Sequence, residues 1–310
     1  MMHFDGKIAI ETKKLAKTYY GDFWKKPVEA LLPMDLQVGE GEAFGFIGPN
    51  GAGKTTTIKI LTGLQESTSG EAYLFGKMSH HSDSRKKLGF LPERPYFYTH
   101  LTAREVLDFY GQLYYMPKAE RRKRSEELLE RVSMLEYGDT PLQQYSKGML
   151  QRIGLCQTLL HNPKIIILDE PMSGLDPLGR ALVRDIIVEE KQKGTTVFFS
   201  SHVLSDVEAI CTRVGILVKG KLRSVGPIEE LIGNQVKTVE CLFEGPNDGI
   251  EFEAQILTRT TNQIRISCPV EEQDLMIRKA LQHNLLPTEI RPMRISLEEY
   301  LVQEIEKEDQ

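Results

Sequence analysis

The most constraining feature of this sequence is a glycine-rich segment between a short apolar run and a helix-forming run. Residues 48–55 read Gly-Pro-Asn-Gly-Ala-Gly-Lys-Thr, and the residues at 42–47 before them are mostly apolar. An apolar run that ends in a tight glycine loop is typical of a buried strand. Glycines let the backbone curl so that its N–H groups converge, and a helix N-terminus adds positive potential. The segment predicts an anion-binding turn before a helix that begins near Lys54.

The same segment fits the phosphate-binding loop pattern G-x-x-x-x-G-K-S/T, in the strand-then-helix context that the pattern requires. We expect Lys54 to supply a positive charge to the β- and γ-phosphates of a nucleotide, and the Thr55 hydroxyl to bind Mg²⁺. The backbone around them forms the rest of the predicted nucleotide site: Gly48, Pro49, Asn50, Gly51, Ala52, Gly53 and Thr56. A P-loop ATPase is therefore the first functional hypothesis.

A second segment places two carboxylates after an apolar run. Residues 165–168 are Ile-Ile-Ile-Leu, followed by Asp169 and Glu170. A continuous apolar run predicts a central strand, and acids at its carboxyl end predict a site there. We expect Asp169 to hold magnesium, directly or through water, and Glu170 to orient and deprotonate the attacking water. Because many strands end in acidic residues, this interpretation depends on the P-loop upstream.

Composition restricts the class of protein. The 310 residues include 39 basic and 44 acidic ones, a net charge of −5, which offers no electrostatic footprint for nucleic acid. The longest aliphatic run is far shorter than the ~20 residues of a membrane span, so membrane work would need a partner chain. The first residues lack the layout of a secretory signal. Four widely spaced cysteines indicate reduced thiols and disfavour a disulfide framework or a metal site.

The chain reads as one large α/β domain and a smaller one. After Pro163, strand-like and helix-like stretches alternate, which predicts a parallel sheet. Residues 101–136 are rich in Leu, Glu, Lys and Arg at helical spacing, within a helical insertion at about 83–158. Beyond about residue 232 the pattern changes to alternating strands and an acidic terminal helix. We therefore predict domains at 1–231 and 232–310.

Four further segments resemble ABC (ATP-binding cassette) transporter ATPases. Residues 145–152, Tyr-Ser-Lys-Gly-Met-Leu-Gln-Arg, are similar to the signature L-S-G-G-Q followed by x-Q-R. Residues 173–176, Ser-Gly-Leu-Asp, resemble the D-loop, and His202 resembles the switch histidine. Tyr19 resembles the aromatic residue that stacks on adenine. The resemblance covers about residues 7–226, and the segments around Thr57 and at 171–177 look like ATPases of ABC-2-type exporters.

This resemblance implies a fold, a reaction and partners. The fold is a P-loop NTPase ABC cassette, with a RecA-like core, an antiparallel β part and a helical insertion, plus a small C-terminal α+β appendage. The reaction is hydrolysis of ATP, with Mg²⁺, by two cassettes packed head to tail, most simply a homodimer. Ser146 and Gly148 would then contact the γ-phosphate across the dimer, and His202 would hydrogen-bond that same phosphate and sense its loss. A separate transmembrane permease would hold the chain at the cytoplasmic face of the membrane.

The sequence departs from the family pattern in two places. Lys147 replaces the first signature glycine and Met149 the glutamine, so a cation is added near the partner's ATP. Glu93 stands where the family's Q-loop offers glutamine. We expect Glu93 to bind magnesium as an anionic oxygen ligand, and the alternative is that it faces solvent or pairs with Arg94.

Some alternatives stay open from the residues alone. The aromatic run Tyr96-Phe97-Tyr98 can anchor a membrane subunit or fill the core of the helical insertion. A soluble ABC protein of DNA repair would need a long insertion, but Thr55 and Ser146 are only 146 − 55 = 91 residues apart. A translation-factor type would carry two cassettes and a basic linker. An ATP-gated regulatory module with negligible turnover is the third rival, and import is the alternative to export.

Overall fold

A computed structural model describes residues 6–20, 26–233, 236–247, 250–294 and 296–309, and it is a mixed α/β structure. The strands are β1 (Ile8–Tyr19), β2 (Val28–Gly39), β3 (Ala43–Ile47), β4 (Ser69–Leu74), β5 (Lys77–Met78), β6 (Leu88–Leu91), β7 (Ile165–Asp169), β8 (Thr196–Ser201), β9 (Arg213–Val218), β10 (Lys221–Pro227), β11 (Val236–Glu244), β12 (Gln255–Arg259), β13 (Gln263–Pro269) and β14 (Leu286–Arg294). The α-helices are α1 (Lys54–Leu61), α2 (Ser82–Arg85), α3 (Ala103–Leu113), α4 (Lys118–Arg131), α5 (Lys147–Leu159), α6 (Pro177–Gln192), α7 (Leu204–Ile210), α8 (Ile228–Ile232), α9 (Gln273–Gln282) and α10 (Leu297–Asp309).

The central sheet has the order β10-β9-β3-β8-β7-β6. Its strands from β9 to β6 run parallel to their neighbours, and only β10 is antiparallel, to β9. Strands β3, β7 and β8 are buried along their whole length. This matches the predicted parallel sheet, because strands covered on both faces read as nearly continuous apolar runs.

A second, antiparallel sheet has the order β2-β1-β4-β5. It supplies much of a core that it shares with β3 and β8. In that core the Phe198 ring stacks on Phe44 at 5.8 Å and lies 5.3 Å from Phe46, between ring centroids. The antiparallel sheet and the parallel sheet thus enclose one apolar interior. The presence of both sheets agrees with the fold that the family resemblance implied.

The helical insertion is shorter than predicted. The proposed range 83–158 includes β6, but β6 pairs with β7 in the central sheet. The insertion therefore begins after Leu91 and contains α3, α4 and most of α5. Only four residues of β6 are extended, and so short an apolar run between charged residues carries little periodicity by which to distinguish a strand from a helix.

The aromatic run at 96–98 divides between the two interpretations. Phe97 is buried and packs edge-on against Tyr110 of α3, with ring centroids 6.4 Å apart. Tyr96 is 89% exposed and Tyr98 is 59% exposed. Phe97 therefore fills the helical insertion. Tyr98 also contacts Phe109 of α3 edge-on, with centroids 6.2 Å apart, but it stays exposed, so both tyrosines remain available for a partner.

Contacts divide the chain between Ile228 and Glu229, and the segment from Glu304 onward groups with the N-terminal unit. The predicted boundary was 231/232, with all of 232–310 in the second domain. The difference at the end of α10 has a local reason, because Glu308 forms an ion pair with Arg223 of β10. The second unit, 229–303, has its own sheet in the order β12-β13-β11-β14, and an apolar core of its own.

Within the described ranges, no helix is both long and apolar enough to cross a bilayer.

His161, after α5, predicts a pH dependence of stability. Its ring stacks on Tyr114 with centroids 3.7 Å apart, and its Nε2 lies 3.1 Å from the Leu88 carbonyl oxygen. Burial lowers the pKa of His161 to about 4. The unfolded chain, in which the histidine pKa is near 6.5, takes up a proton at a higher pH than the folded chain does. Protonation therefore favours the unfolded state, and the free energy of unfolding decreases as the pH falls from about 6.5 towards 4.

Urea unfolding at pH 7 and pH 5 measures this effect. Between these two values the His161 linkage should lower the free energy of unfolding by roughly 2 kcal/mol. In the His161→Gln variant, which keeps a donor for the Leu88 carbonyl but does not titrate, that part of the decrease should disappear. His80→Gln, at an exposed histidine, is the control. An unchanged pH dependence in His161→Gln would show that the buried ring is not the group that titrates.

Candidate functional site

The phosphate-binding loop and three of the other predicted site residues lie at the carboxyl ends of four adjacent strands. Strands β3, β8, β7 and β6 are neighbours in the parallel sheet. The glycine-rich loop follows β3, His202 follows β8, and Asp169 ends β7. Glu93 follows β6 after one residue. Because the strands are parallel, all four segments meet at one edge of the sheet, which is where open α/β sheets bind ligands.

The glycine loop keeps its shape through close backbone contacts. A Cβ atom on Gly48 would lie 2.1 Å from the Leu217 carbonyl oxygen, so no larger residue fits there. Gly53 has φ +109°, and a Cβ there would lie 2.5 Å from the Ala30 carbonyl oxygen. These two glycines let the loop turn directly into α1, whose N-terminus then points at the cavity.

A cavity of about 290 Å³ lies over this loop. Its lining includes the loop residues Asn50, Gly51, Ala52, Gly53, Lys54, Thr55 and Thr56, and also Ala30, Glu93, Glu170, Ser173 and His202. Gly48 and Pro49 contribute from behind, since their carbonyl oxygens accept hydrogen bonds from the Lys54 ammonium at 2.6 Å and 3.2 Å. The structure thus brings together the P-loop and the residues predicted to act on phosphate.

Lys54 is a buried cation surrounded by acids. Its side chain is only 7% exposed. Burial lowers the pKa of Lys54 from its ordinary value, and the carboxylates of Glu170, Asp169 and Glu93 oppose that shift. Three negative groups within electrostatic reach of one ammonium make this edge suited to phosphate together with a divalent cation.

Asp169 is held by a serine of the neighbouring strand. The Ser200 hydroxyl donates to the Asp169 carboxylate at 2.6 Å, and the backbone N–H of Glu170 donates to the same hydroxyl at 3.1 Å. Asp169 itself is 3% exposed. Ser200 therefore orients Asp169 and joins the ends of β7 and β8.

Glu170 and His202 form a close pair. The Glu170 carboxylate lies 2.7 Å from Nδ1 of His202 and accepts from the His202 backbone N–H at 3.3 Å. Glu170 also has φ +51°, a left-handed conformation that costs a residue with a side chain about 1–3 kcal/mol. Backbone strain of this kind is common at functional sites, and the strained residue here is one that lines the cavity.

Glu93 is both a cavity residue and a neighbour of Arg94. Its carboxylate is 47% exposed, and its oxygen lies 4.0 Å from Nε of Arg94. It also lines the cavity and lies within electrostatic reach of Lys54. The two interpretations of Glu93 are therefore compatible in this conformation, and its binding of metal remains a prediction.

Tyr19 lies at the rim of the site, beside the first turn of α1. Its hydroxyl donates to Gln65 at 2.9 Å and is 3.4 Å from the Thr56 hydroxyl. The ring is 39% exposed, and the Lys17 ammonium lies 5.4 Å from its centroid. An exposed ring next to the P-loop helix is placed as a stacking platform would need to be.

Ser146 and Gly148 do not line this cavity. Ser146 caps α5, and its hydroxyl accepts from the Met149 N–H at 3.2 Å. Gly148 lies in the first turn of α5, close to Leu175. Within one chain, then, the structure does not bring the signature residues to the P-loop.

The sequence prediction missed some members of the site. Ser200, which holds Asp169, was not predicted as a site residue, and nothing in the sequence indicated Gln65 or Ala30. A serine in a strand of β-branched and aromatic residues has no feature in a single sequence that marks it as a partner of Asp169. Its role follows only from the pairing of Asp169 with Ser200 in the sheet register.

Comparisons with known proteins agree with this geometry. The family model described as "ABC transporter" matches residues 31–173. An uncharacterized ABC transporter ATP-binding protein of Synechocystis is 46% identical over 228 residues, 73% of this chain and 64% of that relative's length. The bacitracin transport ATP-binding protein BcrA of Bacillus licheniformis is 33% identical over 302 residues, 94% of this chain and 96% of the relative.

This chain belongs to the ABC transporter ATP-binding proteins. A solved ATP-binding cassette, a dimer in a post-hydrolysis state with ADP and Pi, is 26% identical and has a TM-score of 0.66. The structural match covers 71% of this chain and 98% of the solved cassette. The protein is therefore an ATP-binding ABC ATPase with the P-loop NTPase cassette fold, as the sequence resemblance implied.

The ABC ATPase also carries a set of oxygen donors that fits magnesium. Thr55 and Glu93 line the cavity, and the buried Asp169 carboxylate is close enough to the Lys54 ammonium to raise its pKa electrostatically. Magnesium prefers such hard oxygen ligands and keeps several waters. Bound there, it would neutralise charge on the β- and γ-phosphates.

Proposed function

We propose that this ABC ATPase works as a head-to-tail pair of cassettes that closes around two ATP molecules and drives a separate membrane exporter of the ABC-2 type. The observation that carries this proposal is the Glu170 carboxylate, which borders the P-loop cavity and is 2.7 Å from His202. The candidate base Glu170, the phosphate-binding loop and the His202 side chain thus line one cavity. This arrangement supports hydrolysis and disfavours a regulatory module without turnover.

Each residue has a defined role in this proposal. The P-loop N–H groups and Lys54 bind the β- and γ-phosphates, and Tyr19 stacks on the base. Glu170 accepts a proton from the attacking water, and His202 donates to the γ-phosphate. The Lys54 ammonium now donates hydrogen bonds to the Gly48 and Pro49 carbonyl oxygens. When a nucleotide binds, the ammonium can donate to phosphate oxygens at the same loop instead. Thr55, Asp169 and Glu93 hold magnesium.

Glu93 gives a specific prediction, because it adds a negative charge where the family has an amide. We expect Glu93→Gln to weaken the magnesium dependence of ATP binding while leaving the fold intact, since one carboxylate ligand is lost and one repulsive charge is removed. Titration of magnesium against ATP binding measures this. Glu136→Gln, at an exposed acid of the helical insertion, is the control. Superimposable curves for Glu93→Gln and the parent protein would place Glu93 outside the metal site.

The second cassette is required because one chain does not complete the site. Ser146 and the free N–H groups of the first turn of α5 lie away from the P-loop of their own chain. In a head-to-tail pair, the hydroxyl of Ser146 and the N–H of Gly148 would contact the γ-phosphate held by the other cassette. The output of the cycle is then mechanical, since ATP binding closes the dimer and product release reopens it.

The membrane subunit would contact the exposed rings of the loop after β6. Tyr96 and Tyr98 are 89% and 59% exposed, whereas Phe97 fixes the loop to α3. Aromatic side chains anchored in this way are suitable for a protein interface. The loop also contains Glu93, which lines the nucleotide cavity three positions before Tyr96. A contact of the membrane subunit at Tyr96 would therefore lie close in the chain to the nucleotide site. In this proposal the membrane subunit holds the chain at the cytoplasmic face of the membrane.

The domain boundaries belong to the same proposal. We assign residues 1–231 to the ATPase domain and 232–310 to an accessory domain that regulates the dimer or stabilises it, although the division by contacts lies at 228/229 and leaves the segment from Glu304 with the first unit. Every candidate site residue precedes Asp206, and the second unit carries its own core of apolar side chains. Rival ABC functions are less consistent with one acidic chain that holds a single P-loop.

The exporter part of the function is tested on a membrane subunit with about six predicted spans, encoded beside this gene. The two proteins should copurify, and inside-out vesicles that contain both should accumulate substrate only with ATP. The similarity to a relative named for bacitracin transport makes bacitracin a suitable first probe. A neighbouring gene for a periplasmic binding protein, or copurification with ribosomes instead of a membrane protein, would contradict export.

A further inference from the structure

Ser200 of β8 places one buried hydroxyl between two residues of the nucleotide site. Its side chain is fully buried, and it lies opposite Asp169 in the register of β7 and β8. The hydroxyl donates to Oδ1 of Asp169 at 2.6 Å and accepts from the backbone N–H of Glu170 at 3.1 Å. The same group therefore contacts the residue predicted to hold magnesium and the residue predicted to activate water.

The Asp169 carboxylate depends on this contact for its orientation. A carboxylate as buried as this one is costly unless it is hydrogen-bonded. Among the residues that the structure describes, the Ser200 hydroxyl is the one group that donates a hydrogen bond to it. The second oxygen, Oδ2, accepts none from these residues, so it is left for a magnesium ion or a water bound to that ion. Ser200 thus decides which oxygen of Asp169 serves the metal.

The same hydroxyl also fixes the backbone of Glu170. Its φ of +51° is a conformation that persists only where the surrounding structure holds it. Ser200 holds the Glu170 N–H, and His202 holds the Glu170 carboxylate. Because His202 follows Ser200 by two positions in the chain, these contacts close a ring around Glu170. Without the Ser200 hydroxyl the ring is open, and the carboxylate loses part of its support.

We propose that Ser200 is a positioning residue that couples the magnesium ligand Asp169 to the base Glu170, so that one hydroxyl sets both the magnesium requirement of nucleotide binding and the rate of hydrolysis. The inference rests on the roles that the proposed function gives to these two acids. Ser200 is not part of the lining of the cavity, so it acts through its two neighbours. A hydrogen bond to an ionised acceptor is stronger than a neutral one, which makes its loss measurable.

The effect on the metal is measured without turnover, by titrating magnesium against binding of a non-hydrolysable ATP analogue to the full chain. Ser200→Ala should raise the magnesium concentration for half-maximal binding about tenfold, since one carboxylate ligand loses its orientation. Binding of the analogue without magnesium should stay unchanged. Ser200→Thr keeps the hydroxyl and should stay close to the parent protein, whereas Ser200→Val, which has the shape of threonine without the hydroxyl, should behave like Ser200→Ala.

The effect on the base is measured by steady-state hydrolysis at saturating magnesium. In Ser200→Ala, kcat should fall about tenfold with little change in KM for ATP, because the base is displaced while the phosphate-binding loop is intact. In a Glu170→Gln background, Ser200→Ala should lower kcat by less than about twofold, since the base through which Ser200 acts is already absent. A merely structural role would give the same loss in both backgrounds.

Thr196→Val is the matched control, because it removes another buried hydroxyl of β8, which accepts from the Gly41 N–H at the other end of the strand. It should change neither measurement, and an equal loss there would overturn the inference. So would parent values of both kcat and the magnesium curve in Ser200→Ala, or equal behaviour of Ser200→Thr and Ser200→Val. If Glu170→Gln is slow and Ser200→Ala is not, only the role of Ser200 fails. If Glu170→Gln hydrolyses ATP at the parent rate, the base of the proposed function fails and the coupling with it.

Discussion

Glu170→Gln is expected to slow ATP hydrolysis at least ~10²-fold and to leave ATP binding intact. The carboxylate that borders the cavity can accept a proton from water, whereas an amide of the same shape cannot. The contact with the His202 backbone N–H can persist, because the amide oxygen still accepts. Phosphate release with saturating Mg-ATP measures the rate, and calorimetry measures binding.

The same variant should accumulate as a closed dimer with ATP, because binding proceeds and the step that reopens the dimer does not. Glu189→Gln is the matched control, since this acid on α6 is an exposed carboxylate that pairs with Arg131 outside the cavity. Hydrolysis at the parent rate in Glu170→Gln would remove Glu170 from the role of base. The cavity would then need another proton acceptor.

Lys54→Ala is expected to weaken ATP binding roughly 10- to 150-fold, since a charge-assisted contact to phosphate is worth about 1.5–3 kcal/mol. The ammonium is already desolvated and lies among three carboxylates. Its removal therefore leaves the site with an excess of negative charge, which repels the nucleotide further. Isothermal calorimetry of the full chain with ATP gives the change directly.

Lys59→Ala controls for the loss of a lysine on the same helix, because Lys59 is an exposed residue in the last turn of α1. Lys54→Met, which keeps most of the buried side-chain volume, separates the loss of charge from the loss of packing. Both Lys54 variants should bind ATP weakly, and Lys59→Ala normally. Equal affinity in all of them would exclude Lys54 from the phosphate site.

Much of the fold was predictable because its elements have strong local patterns. The run Ile165–Asp169 and the buried β3 were recognisable as central strands, and the capping box at Thr102 marks the start of α3. In contrast, β6 was placed in the helical insertion. It is a strand because β7 offers a parallel neighbour to pair with, and that neighbour is more than 70 residues away in the chain.

The signature segment shows the same division for the site. Its resemblance to the family identified Ser146, Gly148 and the unusual Lys147 from their order in the chain. The path of the Lys147 side chain could not be read from that order, because it depends on the left-handed backbone of Gly174 in a different loop. Likewise, Phe97 and Tyr98 both contact rings of α3, but only Phe97 is buried there, and that difference depends on the tertiary packing.

The sequence by itself determined the phosphate-binding loop, because the conformation of that loop follows from residue types at adjacent positions. Glycines permit the turn, Lys54 supplies the charge, and α1 begins at once. Only the tertiary structure decided that Glu170, His202 and Glu93 meet over this loop and that Ser200 holds Asp169. Those residues belong to separate strands, and their proximity arises from the strand order β3-β8-β7-β6, which buries apolar faces that no single segment can cover alone.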